Sequence, residues 1–230
     1  MHSFGRIGPE LGSHYEPPLT NEELKDFRSW REERNQPKRI IVGMSGASAA
    51  QYGIRLLEVL SQIPRVETHL VMSEGAKGIM RLEMDYTHED IKRVENLATE
   101  VYDNSNEGAA IASGSFRTEG MVIIPCSVNT LEQVASASDK GLIARAAFCT
   151  LKEGKKLILV PRETPITLEY TRNLLKVQEN NGIIIPPLPA FYHRPKTIEA
   201  IIDQTIGKIL DQFDIEANLY KRWETPKDLD

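Results

Sequence analysis

Four apolar runs in the 230-residue chain end in residues able to donate hydrogen bonds or carry charge. Ile40-Ile41-Val42-Gly43-Met44 gives way to Ser45-Gly46-Ala47-Ser48, where small side chains leave the backbone bare and two hydroxyls stand beside it. Leu70-Val71-Met72 ends in Ser73, and Ile123-Ile124-Pro125 ends in Cys126-Ser127-Val128-Asn129-Thr130. Leu159-Val160-Pro161 ends in Arg162-Glu163, an Arg–Glu pair held between Pro161 and Pro165. Unbonded N–H groups at a helix start, with the positive end of the helix dipole, favour an anion. The first junction therefore suits a ligand carrying phosphate that must approach the main chain. The same residues also suit a tight turn in which Ser45 or Ser48 caps the following helix. The stretch is not GxGxxG and lacks the GK[ST] of a P-loop, so its spacing supports neither a dinucleotide nor a nucleoside triphosphate. Any one serine at a helix start reads as a cap. Four polar junctions in succession read as one rim.

A rim of this kind needs a parallel sheet, in which ligands collect outside the carboxyl ends of the strands. After Arg39 apolar runs alternate with amphipathic stretches, the pattern of βαβ units. Strands are predicted at Arg39–Met44, Glu67–Met72, Gly120–Pro125, Lys156–Pro161 and Gly182–Ile185. Helices are predicted at Ala49–Gln62, Gly75–Glu83, His88–Leu97, Leu131–Ser136, Leu142–Glu153, Thr167–Asn181 and Ile198–Phe213. The fold class is α/β, with a parallel sheet layered between helices. Residues 1–37 are polar and broken by Gly and Pro, with a short helix expected over 21–33, and read as an arm. Residues 38–224 read as one domain and 225–230 as a tail.

Composition narrows the function. Hydrophobic residues are 40% of the chain and charged residues 27%, an ordinary globular mixture, and no apolar run approaches the roughly 18 residues of a membrane span. The net charge of −5 comes from interspersed acids and bases, so no basic footprint for nucleic acid stands out. Cys126 and Cys149 sit in apolar segments without CxxC or Cys/His metal spacing, and the N-terminus lacks the apolar core of a signal peptide, which together suggest a cytoplasmic protein. The histidines have no ligand spacing. Pro186-Pro187-Leu188-Pro189-Ala190-Phe191-Tyr192-His193-Arg194-Pro195 must be a stiff extended loop, either a connector or a wall with an aromatic and a base at its end. Arg145 and Lys152 recur at seven-residue spacing on one helical stretch, where a solvated basic face is the plain reading.

The ordered set VGMSGASAAQYG, ETHLVMS, ASGSF, PCSVNTL, GLIARAA to LKEGKKLILVPRETP, and PPLPAFYHRP resembles the flavin prenyltransferases of the UbiX type, from about Lys38 to Trp223. The resemblance implies a Rossmann-like flavoprotein, typically a homododecamer, in which FMN and dimethylallyl phosphate meet between subunits. It implies an enzyme that joins a dimethylallyl group to N5 and C6 of reduced FMN, making the prenylated cofactor of UbiD-type decarboxylases. FMN would be held by Gly46, Ala47, Ser48, Ser73, Ser127, Val128, Asn129, Thr130 and Arg162. The prenyl phosphate would meet Arg145, Lys152, Tyr192 and Lys208, and Ser48, Glu83 and Glu163 would serve catalysis. The chain departs from the family at Ala49, where GASGA is common and one added methyl is expected to be tolerated, and at Lys208, where arginine is usual.

Such a reaction breaks an allylic C–O bond, leaving a delocalised cation and a phosphate anion. It calls for donors on the leaving oxygens and a base for the proton lost on ring closure, for which Glu163 or the released phosphate is a candidate. The chain has no DDxxD and no two adjacent aspartates, which favours a monophosphate handled without metal. Two other readings share the motifs: a flavin-dependent cysteine decarboxylase, whose PASANT resembles PCSVNT, and a non-catalytic flavin-binding subunit of a decarboxylase complex. The absence of a helix-opening histidine in mid-chain and the presence of the PRE and FYHRP segments stand against the first.

Overall fold

The computed structural model describes residues 36–223, with Thr20 and Glu22 besides. Apart from Glu22, the helix expected over 21–33 lies outside the described residues, as does the tail. From Pro37 onward the chain forms a six-stranded, all-parallel sheet: β1 Lys38–Met44, β2 Val66–Met72, β3 Glu100–Asp103, β4 Gly120–Cys126, β5 Lys156–Pro161 and β6 Ile183–Ile184. The strand order is β3-β2-β1-β4-β5-β6. This is the doubly wound Rossmann order, and without the short edge strand β3 it reduces to the flavodoxin-like one. The chain reverses its direction of winding between β1 and β4, which leaves a crevice at their carboxyl ends.

Seven helices accompany the sheet among the described residues: α1 Ala50–Ser61, α2 Glu74–Met84, α3 His88–Glu95, α4 Val128–Ala135, α5 Leu142–Lys152, α6 Leu168–Glu179 and α7 Ile198–Gln212. Strand residues alternate between two cores, as the pleat requires. Ile40, Val42, Leu70, Val122, Ile124 and Ile158 pack against α1, α2, α3 and α7 on one face. Ile41, Val71, Met121, Ile123, Leu157 and Leu159 pack against α4, α5 and α6 on the other. Because both faces are covered, the strands read as unbroken apolar runs, which made five of them visible in the sequence.

At β3, at the start of α4 and at Cys126 the sequence reading differs from the structure. It missed β3, whose four residues Glu100-Val101-Tyr102-Asp103 form a largely exposed edge and carry no apolar run. It started α4 at Leu131, whereas the helix opens at Val128 behind the Ser127 cap, so Val128-Asn129-Thr130 are its first turn. It placed Cys126 on the polar rim, but Cys126 is fully buried at the end of β4, and burial pushes its thiol far up from the usual range.

Candidate active site at the carboxyl ends of the strands

A cavity of about 560 Å3 opens where β1, β2, β4 and β5 end, within the roughly 300–1,000 Å3 range of small-molecule sites. Gly46, Ala47 and Ser48 line it after β1, and Ser73 and Gly75 at the start of α2. Ser127, Val128, Asn129 and Thr130 line it from the first turn of α4, and Arg162 and Glu163 from the loop after β5. The four polar junctions thus form one wall. Asn104, Gln133, Lys140 and Ile143, which the sequence reading did not single out, complete the lining.

Caps hold the helix starts in place. The Ser73 hydroxyl accepts from the Ala76 N–H at 3.1 Å, and the Ser127 hydroxyl accepts from the Thr130 N–H at 3.3 Å while donating to the Thr130 hydroxyl at 3.0 Å. The first-turn N–H groups of Val128 and Asn129 have no acceptor within the helix and stand at the cavity wall. Asn104 follows β3 directly. Its carbonyl accepts from Leu142 N–H at 2.7 Å and its side-chain oxygen from Ile143 N–H at 3.0 Å, so it holds the start of α5 while lining the cavity.

The expectation that Ser45 or Ser48 caps α1 is overturned. The N-cap is Ala49, in the left-handed conformation (φ 79°, ψ 41°), with no side-chain cap. Its N–H donates instead to Glu83 Oε2 at 3.1 Å, so a carboxylate at the end of α2 serves the start of α1. Ser45 is almost wholly buried. Its hydroxyl donates to the Pro125 carbonyl at 3.0 Å and accepts from the Ser127 N–H at 2.8 Å, bridging the ends of β1 and β4 at the point where the winding reverses. Ser48 has no side-chain hydrogen bond among the described residues and lines the cavity. Ala49 also carries more than an extra methyl, because a positive φ strains any side chain.

Charge is sparse in the cavity. Arg162 and Glu163 do not pair with each other; Glu163 Oε1 accepts from the Thr164 N–H at 2.8 Å, and Arg162 makes no salt bridge among the described residues. Glu83 stands beside Ala49, next to the wall and not in it. The four residues expected at a prenyl phosphate lie elsewhere in the chain. Arg145 stands 3.6 Å from Asp139 and Lys152 3.6 Å from Glu153, both on α5. The Tyr192 hydroxyl accepts from Gln204 Nε2 at 3.4 Å, and the Lys208 ammonium on α7 lies 5.8 Å from the centre of the Tyr220 ring. Helices α5 and α7 cover opposite faces of the sheet, so these four do not converge within one chain.

A family model described as Flavoprotein matches residues 28–223. The flavin prenyltransferase UbiX of Thauera aromatica is 53% identical over 185 residues, covering 80% of this chain and 93% of that protein. The chain belongs to the flavin prenyltransferase family. Among solved members, AnUbiX (PadA1), in complex with FMN and dimethylallyl pyrophosphate, superposes with a TM-score of 0.79 at 41% identity, over 84% of this chain and all of that one. A dodecameric FMN-dependent UbiX-like decarboxylase from Escherichia coli O157:H7 gives a TM-score of 0.77 at 43% identity, over 81% of this chain and 99% of that one. Both neighbours are matched almost from end to end. No helix among the described residues is long and apolar enough to cross a membrane.

Proposed function

We propose that the chain is a flavin prenyltransferase that joins a dimethylallyl group from dimethylallyl phosphate to N5 and C6 of reduced FMN, making the prenylated cofactor of UbiD-type decarboxylases. The observation that carries this is the single cavity formed by four strand-to-helix junctions in a chain 53% identical to a flavin prenyltransferase. The lining fits FMN. Its volume suits a ligand of that size, and two glycines bring the main chain to its wall. The first-turn N–H groups of α4 and the N-terminus of α2 offer donors for a phosphate, and Arg162 adds a guanidinium without a salt-bridge partner among the described residues.

Reduced FMN supplies the nucleophilic ring atoms when bound. The protein's part is placement and charge. Gly46, Ala47 and Ser48 after β1, Ser73 before α2, and Ser127 through Thr130 at the start of α4 would hold the flavin cofactor. Arg145, Lys152, Lys208 and the Tyr192 hydroxyl stabilise the negative charge that gathers on the departing phosphate oxygens. Glu163, at the cavity mouth, is the candidate acceptor for the proton released on ring closure. Glu83 fixes the Ala49 backbone and so the conformation of the Ser48 turn.

Since α5 and α7 stand on opposite faces of one sheet, a pocket built from Arg145, Lys152, Tyr192 and Lys208 draws on more than one subunit. The exposed apolar side chains of Leu188, Phe191 and Ile198, each at least 70% accessible, supply surface for such contacts. A homododecamer is the assembly we assign, supported by the dodecameric neighbour. Two free, buried cysteines accord with a cytoplasmic setting. The test is direct: anaerobic protein is mixed with reduced FMN and dimethylallyl mono- or diphosphate, and the flavin is analysed by mass spectrometry. A gain of one prenyl unit is expected. No gain with either phosphate overturns the reading.

A further inference from the structure

After α7 the chain doubles back along that helix. Tyr220 lies on Gly207 so closely that a Cβ at position 207 would stand 2.4 Å from Tyr220 Cε1. Asp211, one turn further along α7, pins the returning segment. Its Oδ1 accepts from Arg222 Nη2 at 2.6 Å, and its Oδ2 accepts from Arg222 Nη1 at 3.0 Å and from the Tyr220 hydroxyl at 3.1 Å. Both carboxylate oxygens are therefore taken, the guanidinium binding as a two-pronged fork. Hydrogen bonding to Arg222 holds the Asp211 carboxyl below the usual range.

Lys208 precedes Asp211 by three residues on α7, the spacing at which a lysine and an aspartate pair on a helix. They make no salt bridge here, although the Lys208 charge helps to hold the Asp211 carboxyl low. The Lys208 ammonium lies over the Tyr220 ring instead, 5.8 Å from its centre, and the Arg222 guanidinium lies at the same distance from that ring. The next residue, Trp223, meets Tyr192 edge to face at 6.0 Å. The returning segment thus touches both Lys208 and Tyr192, the two phosphate-site residues of this half of the chain.

We propose that Arg222 is a positioning residue for the prenyl phosphate site: by occupying Asp211 it prevents that carboxylate from capturing the Lys208 ammonium, and so keeps the lysine charge available for phosphate. A lysine is a compact charge on a flexible stem. Beside an unoccupied aspartate three residues away it would pair with it and be partly neutralised. A guanidinium matches both carboxylate oxygens at once and wins that competition. The inference rests on the prenyltransferase reading and concerns only how the phosphate is met.

The experiment compares the wild type with R222A, R222K, D211N and the double variant D211N/R222A. It measures KM for dimethylallyl phosphate, its binding by calorimetry to enzyme loaded with oxidised FMN, which does not turn over, and the dissociation constant of FMN. In R222A the phosphate KM and dissociation constant should rise about tenfold, as for loss of one charge-assisted contact, with FMN affinity unchanged. R222K should fall between R222A and the wild type. The double variant has no carboxylate to capture Lys208 and should recover most of the loss although the segment is no longer pinned. R222A with wild-type phosphate affinity overturns the proposal. A double variant no better than R222A also overturns it, because the fork would then serve only to anchor the segment. A wild type that prenylates no flavin sinks the enzymatic reading instead, so the two failures are separable.

Discussion

Gly46 and Gly75 lie backbone to backbone across the mouth of the cavity: a Cβ on Gly46 would stand 3.0 Å from Gly75 Cα and 3.1 Å from its carbonyl carbon. Neither neighbour is a flexible side chain that could swing aside. A methyl at position 46 must therefore push the start of α2 away from the β1 junction by a few tenths of an ångström. Gly46→Ala is expected to weaken FMN binding about tenfold, a shift of roughly 1.4 kcal/mol, while the melting temperature moves little. Quenching of flavin fluorescence on titration measures it, and an unchanged dissociation constant would show that the aperture is not set here.

Ala49 occupies the left-handed region at φ 79°, where a Cβ costs roughly 1–2 kcal/mol. Glycine removes that strain but makes the unfolded chain more flexible, which returns about 0.4–1 kcal/mol. Ala49→Gly should therefore be more stable by about 0.5–1 kcal/mol, raising Tm by a few degrees. Calorimetry that finds the variant equal to or below the wild type would place the strain elsewhere.

What the sequence disclosed follows from burial. Strands covered on both faces must be apolar throughout, and a polar residue ending such a run stands out, so the junctions at Ser48, Ser73, Ser127 and Arg162 were visible. Strand β3 is exposed and four residues long, and with it Asn104 went unseen, although Asp103-Asn104-Ser105 is a recognisable turn signal at a strand end. The roles of Ser45 and Ser48 could not be separated by type or spacing. Only the arrangement of β1 beside β4 decides which hydroxyl bridges strands and which faces the cavity. The Asp211–Arg222 fork was equally hidden, because it depends on the chain reversing after α7.

Glu83 offers a way to separate a cap from a catalytic acid. Its carboxylate accepts from the Ala49 N–H, and a neutral amide oxygen can do the same. Glu83→Gln should keep thermal stability within about 0.5 kcal/mol, as for an exposed substitution, and lower turnover if the charge acts in the reaction. Glu83→Ala loses the acceptor as well and should cost about a further 1 kcal/mol. A glutamine variant with full turnover confines Glu83 to holding the backbone.

His69 gives the fold a pH dependence of known sign. The ring is 6% exposed, its Nδ1 lies 3.0 Å from the Tyr102 hydroxyl, and its Nε2 has no partner among the described residues. Burial lowers its pKa; Arg39 acts in the same direction, and Glu67 and Glu100 in the opposite one. Below the unfolded value of about 6.5 the unfolded chain binds the proton more readily than the folded one, so stability rises with pH. His69's contribution is complete above that value and is lost as pH falls toward the folded pKa. Tm should fall more steeply from pH 7 to pH 5 in the wild type than in His69→Phe; parallel slopes would remove His69 from the titration.

Ser45 and Ser48 should respond to alanine in opposite ways. The buried Ser45 hydroxyl bonds Pro125 and Ser127 at once. Its loss leaves the Ser127 N–H and one acceptor position on Pro125 without a partner, at about 1–3 kcal/mol. Ser127 caps α4, so the first-turn donors on the cavity wall should lose their fixed orientation, and FMN affinity should drop together with stability. Ser48 has no such bonds to lose. Ser48→Ala should melt within about 0.5 kcal/mol of the wild type yet turn over more slowly, since the residue lines the cavity. Melting curves and prenylation rates measured on both variants test the contrast. A Ser48→Ala protein that is destabilised but fully active would give Ser48 the structural part, and a stable Ser45→Ala would show that the bridge between β1 and β4 is not what holds this end of the sheet together.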